Sequence, residues 1–340
     1  MKQVFPIRSA IAAGLGAWLA LAATAAAPQA AAAQDVPDQW QRAFPKTDFS
    51  QHAVAYDSIM SGGVPRDGIP AIDDPSFVSA STQADTLGAE EPVIALTLGG
   101  EARAYPLRIL TWHEIVNDTV AGQPVAVTYC PLCNAAIVFD ARLGEQRLDF
   151  GTTGKLRHSD LVMYDRQTET WWQQFTGKGI VGEHTGKHLK VLPSRLTAWQ
   201  DFLTQHPDGR VLVPNNPRIR PYGRNPYKGY DTAERPALYR GPMPEKMPAM
   251  GRVVVVDETA WDLRLLRAKE RIESGDLVLK WRPGQASALD SSSIAEGRDV
   301  GSVVVQRQTA DGLKDTPYDV TFAFVFKAFH PEGTWHVQGE

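Results

Sequence analysis

The stretch Val125-Ala126-Val127-Thr128-Tyr129-Cys130-Pro131-Leu132-Cys133-Asn134-Ala135-Ala136-Ile137-Val138-Phe139-Asp140 decides how the chain is read. Its first arm alternates. Val125, Val127 and Tyr129 face one way and Ala126, Thr128 and Cys130 the other, which is the period of a strand. Pro131-Leu132 makes a turn. The second arm, 134–140, is β-branched and aromatic and resumes as a strand. The stretch is a strand–turn–strand knuckle with two cysteines at its tip.

Its surroundings have the same character. A strand at 93–98 meets Gly99-Gly100, a tight turn into a second strand at 101–105. Further strands are expected at 161–164, 170–175, 189–192, 252–257, 277–281, 302–307 and 320–326. Helices are few. Pro106 suits the first position of one over 107–117, where Ile109, Trp112 and Val116 recur at three- and four-residue steps. Another runs over 198–206, with Thr197 as N-cap and Gln200 as its capping-box partner. The expected fold class is α+β, mainly β, as two related β-rich halves with few short helices. The halves are inferred from 104–110 (Ala-Tyr-Pro-Leu-Arg-Ile-Leu), which aligns with 260–266 (Ala-Trp-Asp-Leu-Arg-Leu-Leu). The second copy would lack both cysteines, leaving chemistry to the first.

Composition narrows the class. The chain has 340 residues, 43% hydrophobic and 22% charged, which is the make-up of a globular protein rather than a disordered one. Its net charge of −4 gives no basic footprint, so no nucleic-acid partner is expected. Residues 1–33 read as a signal peptide: Lys2 and Arg8 form a basic start, an Ala/Leu-rich run follows, and Ala31-Ala32-Ala33 offers a cleavage site. The protein is then periplasmic or secreted. No later segment is long and apolar enough for a span, so no stable membrane insertion is expected after cleavage. The remaining divisions are an irregular N-terminal arm at 34–89, the cysteine-bearing domain at 90–214, a Pro/Tyr-rich linker or wrapping loop at 215–250, whose tyrosines are expected to pack, and the second half at 251–340.

The cysteine pair is the strongest chemical signal, and three readings of it stand side by side. Two sulfurs separated by two residues can converge on a soft metal ion, copper or zinc. His113 on the preceding helix is the expected third ligand beside Cys130 and Cys133, with His158 as a weaker candidate. The pair can instead be a thiol–disulfide oxidoreductase centre with Cys130 attacking, although the strand after Cys133 offers no helix N-terminus to stabilise a thiolate. It can also be a local disulfide, Cys130–Cys133, in a non-enzymatic module that binds a small molecule or a protein. Closing so short a loop is worth only about 2 kcal/mol.

Tyr105-Pro106, the run 112–118 (Trp-His-Glu-Ile-Val-Asn-Asp), Tyr129-Cys130-Pro131-Leu132-Cys133, Phe150-Gly151, Gly154, the run 160–165 (Asp-Leu-Val-Met-Tyr-Asp), Thr168 and Trp172 together resemble a large family of exported bacterial and archaeal proteins. That family is catalogued as a domain of unknown function. The resemblance covers about 55–340 and implies a β-rich domain carrying the cysteine pair. It implies no activity.

Among the carboxylates, Glu114 and Asp165 are the candidates for a catalytic role. Asp160 and Glu169 are open to the same reading, with turn chemistry as the alternative for all but Glu114. Gly151-Thr152-Thr153-Gly154-Lys155 lacks phosphate-loop spacing and reads as a hairpin turn.

Overall fold

A computed structural model describes residues 35–339, with Met1 and Gln3. The expected signal segment at 1–33 otherwise lies outside the described residues. Residues Val36–Glu340 form one compact unit. Among the described residues there are five α-helices, each of six or seven residues, so strands carry the architecture. No helix is long and apolar enough to cross a membrane.

The strands form five sheets of four or five strands, laid out as a five-bladed β-propeller, and one small hairpin. The cysteine sheet runs Val191–Leu192, Ala135–Asp140, Gln123–Cys130, Ile115–Val120, all antiparallel. Beside it lies a sheet of Ile59–Ser61, Phe150–Arg157, Asp160–Asp165, Trp171–Gln173 and Lys178–Val181. A third contains Arg195–Ala198, Pro92–Leu98, Glu101–Pro106, Arg210–Val213 and Ser76–Ser79. The fourth is Asp319–Phe322, Arg252–Val256, Thr259–Asp262 and Thr334–His336. The fifth is Arg271–Ser274, Leu277–Arg282, Ser302–Thr309 and Gly312–Asp315.

The mainly β expectation holds; the division into two halves does not. A four-stranded sheet cannot cover its own apolar faces, so neighbouring sheets bury each other. One core cluster accordingly draws Ile94, Val127, Met163 and Phe322 from four different sheets. The N-terminal arm is less irregular than expected, since Ile59–Ser61 and Ser76–Ser79 are edge strands of two sheets.

Within the single body, one local arrangement is used twice. In both the third and fourth sheets a central hairpin is flanked by an antiparallel strand on one side and a parallel strand on the other. Helices of seven residues follow matching strands: Leu107–His113 after Pro106, and Leu263–Lys269 after Asp262. Each is closed by a glutamate in left-handed backbone, Glu114 at φ 57° and Glu270 at φ 55°. Trp199–Gln205 and Ala323–Phe329 match in the same way, ending at His206 and His330.

Several expected boundaries move. The helix expected over 107–117 stops at His113, because Ile115 to Val120 are mostly β-branched and pair with Gln123–Cys130. Thr197 does not cap the helix after it: it belongs to the strand Arg195–Ala198, and its hydroxyl donates to Asp201. The strand expected over 320–326 ends at Phe322, where Ala323–Phe329 turns helical. The glycine-rich 151–155 is not a turn but lies inside the strand Phe150–Arg157, where the pairing register shifts between Thr152 and Lys155.

Candidate metal centre

The knuckle forms as its alternation requires. Val125 pairs with Asp140 and Cys130 with Ala135, leaving 131–134 as the loop. Proline cannot extend the ladder, so the chain turns there. Cys133 N–H donates to Cys130 O at 3.2 Å and Asn134 N–H to Pro131 O at 3.1 Å. Asn134 takes the left-handed conformation, φ 54°, that asparagine tolerates better than most residues.

The turn is docked on the strand Asp319–Phe322. The Asn134 amide donates to Val320 O at 2.7 Å. Cys133 O accepts from Thr321 Oγ1 at 2.7 Å and from Phe322 N–H at 3.3 Å. Above the turn runs the 215–250 segment, whose Tyr230 hydroxyl donates to Leu132 O at 3.1 Å. Of the two readings, linker or wrapping loop, the segment takes the second and packs on the cysteine turn.

Both cysteines are free thiols, 2% and 0% exposed. Asp160, 0% exposed, opens the adjoining sheet's strand Asp160–Asp165 and completes the cluster. The Sγ atoms of Cys130 and Cys133 and an Asp160 carboxylate oxygen all lie within 4.8 Å of one another. Around a zinc-sized ion, tetrahedral sulfur and oxygen ligands stand about 3.3–3.8 Å apart, so small adjustments bring these donors onto one ion. Asp160 Oδ2 is held by Gln173 Nε2 at 2.6 Å and Phe175 N–H at 2.8 Å. Its Oδ1 is buried without a conventional hydrogen bond, and both thiols interact with the carboxylate.

Burial dominates the electrostatics. It pushes Cys130 up and Cys133 well up, and raises Asp160 to about 6 against the opposing bonds from Phe175 and Gln173. Glu114 is raised to about 8 by burial and then by the nearby Asp160 charge. Asp319 is raised to about 8 for the same two reasons. The pocket thus holds protons where it has no cation; three buried anions without a counter-charge would be far too costly.

His113, the expected third ligand, is not part of this cluster. Its Nδ1 donates to Pro70 O at 2.7 Å, which leaves Nε2 as the acceptor for the Tyr222 hydroxyl at 2.8 Å. Both ring nitrogens are spent, and Asp160 stands where the histidine was expected. His158 also lies outside the cluster, with its ring against Tyr239 and Phe329 and its basicity lowered to about 4, first by burial and then by Arg157. Asp165 also lies outside the cluster. Its carboxylate takes Thr168 N–H at 2.6 Å, Thr168 Oγ1 at 2.9 Å and Trp172 Nε1 at 2.9 Å. Glu114, the other expected catalytic carboxylate, is buried beside the cluster.

A family model described as "Protein of unknown function (DUF3179)" matches residues 66–333. No curated protein and no solved structure matches the chain. The matched span includes the cysteine turn, Asp160, Glu114 and the docking strand, and on its extent the chain belongs to the DUF3179 family.

Proposed function

We propose that the protein binds a metal ion through Cys130, Cys133 and Asp160, with zinc favoured over copper. The observation that carries this reading is the convergence of three buried donors, one of them a carboxylate oxygen with no conventional partner. Two thiolates suit zinc and cuprous copper alike; a hard carboxylate oxygen in the set tips the balance to zinc. A divalent ion also offsets the charge that burial otherwise keeps protonated. The site would belong to an exported protein, on the strength of the signal-like 1–33.

Thiol–disulfide exchange is the weaker reading. The attacking species there is a thiolate, and burial works against it at both cysteines. The residues after Cys133 run as a strand, so no helix N-terminus assists.

The test is elemental analysis of the full chain purified without chelator and equilibrated with zinc, beside Cys130→Ser. One zinc per chain, lost in the variant, is expected. Retention at full stoichiometry in Cys130→Ser, or no uptake by the parent, would overturn the proposal.

A further inference from the structure

The geometry points to a centre with three protein ligands whose fourth position is kept for water, or for a small anion displacing it, with Glu114 next to the cysteine strand. This inference rests on the Cys130–Cys133–Asp160 reading above.

Closed structural zinc sites have four protein donors, whereas sites that exchange ligands keep three and an open position. Among the described residues, three metal-binding side chains converge here. These three are also held in place by the protein's own hydrogen bonds. Asn134 and Thr321 fix the cysteine turn, and Gln173 and Phe175 fix Asp160. Ligands preorganised in this way suit a centre that exchanges its fourth ligand.

Glu114 supplies the third argument. Its main chain is fixed one residue from Cys130: its N–H donates to Leu110 O at 2.7 Å and its carbonyl accepts from Tyr129 N–H at 2.8 Å. Its carboxyl enters no hydrogen bond, yet interacts electrostatically with both Asp160 and Cys130. Its oxygens are not among the side-chain atoms sealed from solvent without a partner, so water reaches them. The helix end does not demand this burial, because Glu270 closes the matching helix with the same backbone and is exposed. The Glu114 carboxyl is not one of the converging donors. A water at the fourth position supplies the partner it lacks, and ties the carboxyl to the ion through one hydrogen bond.

Cobalt(II) substitution of the full-length protein tests this with the metal and sodium azide alone. Sulfur-to-cobalt charge-transfer absorption reports loading, and the visible d–d bands report the fourth ligand. The expected result is a saturable one-to-one azide shift of the d–d bands with charge transfer retained. Glu114→Leu should keep the loading and bind azide about tenfold more tightly, because the displaced water has lost its acceptor. If azide leaves the loaded parent's bands unmoved, the fourth position is closed and the inference fails. A response seen only in Glu114→Leu would make Glu114 itself a ligand, and would overturn it too. Absence of charge transfer would instead sink the underlying metal reading.

Discussion

The Asn134 amide donates to the Val320 carbonyl at 2.7 Å, joining the cysteine turn to a strand 186 residues further along the chain. Thr321 and Phe322 add bonds to Cys133 O from the same strand. The cysteine pair is local in sequence, but its position is set by the C-terminal part of the chain.

Asn134→Ala removes that tie and leaves alanine in a left-handed conformation. A loss of about 2 kcal/mol in urea unfolding of metal-free protein is expected, with weaker zinc binding. An unchanged midpoint and affinity would show that the docking strand does not hold the turn.

His113 and Tyr222 form a second long-range pair, hydroxyl to Nε2 at 2.8 Å with nearly parallel rings. Tyr222→Phe is expected to cost about 1 kcal/mol. His113→Ala should lower the melting temperature and leave zinc stoichiometry at the parent level. Loss of the metal in a folded His113→Ala would restore the histidine as a ligand.

Asp165→Ala removes a fully buried carboxylate that accepts from three donors. A destabilisation of about 2–4 kcal/mol is expected, with zinc affinity in the folded fraction unchanged. A folded, stable variant that loses zinc would assign Asp165 a role in the centre.

The pocket acids make metal-free stability fall as pH rises. In the unfolded chain carboxyls ionise near pH 4, whereas Asp160 holds its proton to about 6 and Glu114 and Asp319 to about 8. Between those limits the folded state binds more protons, so raising the pH favours unfolding. This stability is present below about pH 4 and is lost by the upper end of the window. Glu114→Gln cannot ionise. Its melting temperature should match the parent's near pH 4.5 and exceed it near pH 8.5. Parallel curves for the two proteins would contradict the buried-acid account.

Much of this was legible in the sequence. The knuckle was, because alternation at 125–130 and the proline at 131 leave little choice. The helix after Pro106 was readable at its start, but its end was not. Glu114 breaks it in a backbone conformation that no local pattern announces, and the β-branched run from Ile115 then takes over. Asp160 reads only as a possible catalytic carboxylate before an apolar strand, and Asp165 reads as the stronger candidate. What separates them is which one neighbours the thiols across two sheets, and that depends on packing between distant strands. His113 misled because proximity along the chain stood in for proximity in space. The local arrangement shared by the third and fourth sheets was half visible in the match of 104–110 with 260–266. Its fusion into one five-sheet body follows from faces that only neighbouring sheets can cover.

The most direct test of the central claim is X-ray absorption at the zinc edge of the loaded full-length protein. The account predicts two sulfur ligands near about 2.3 Å and oxygen ligands near about 2.0–2.2 Å, with no imidazole scattering. A first shell without sulfur, or one carrying a histidine ring, would contradict it.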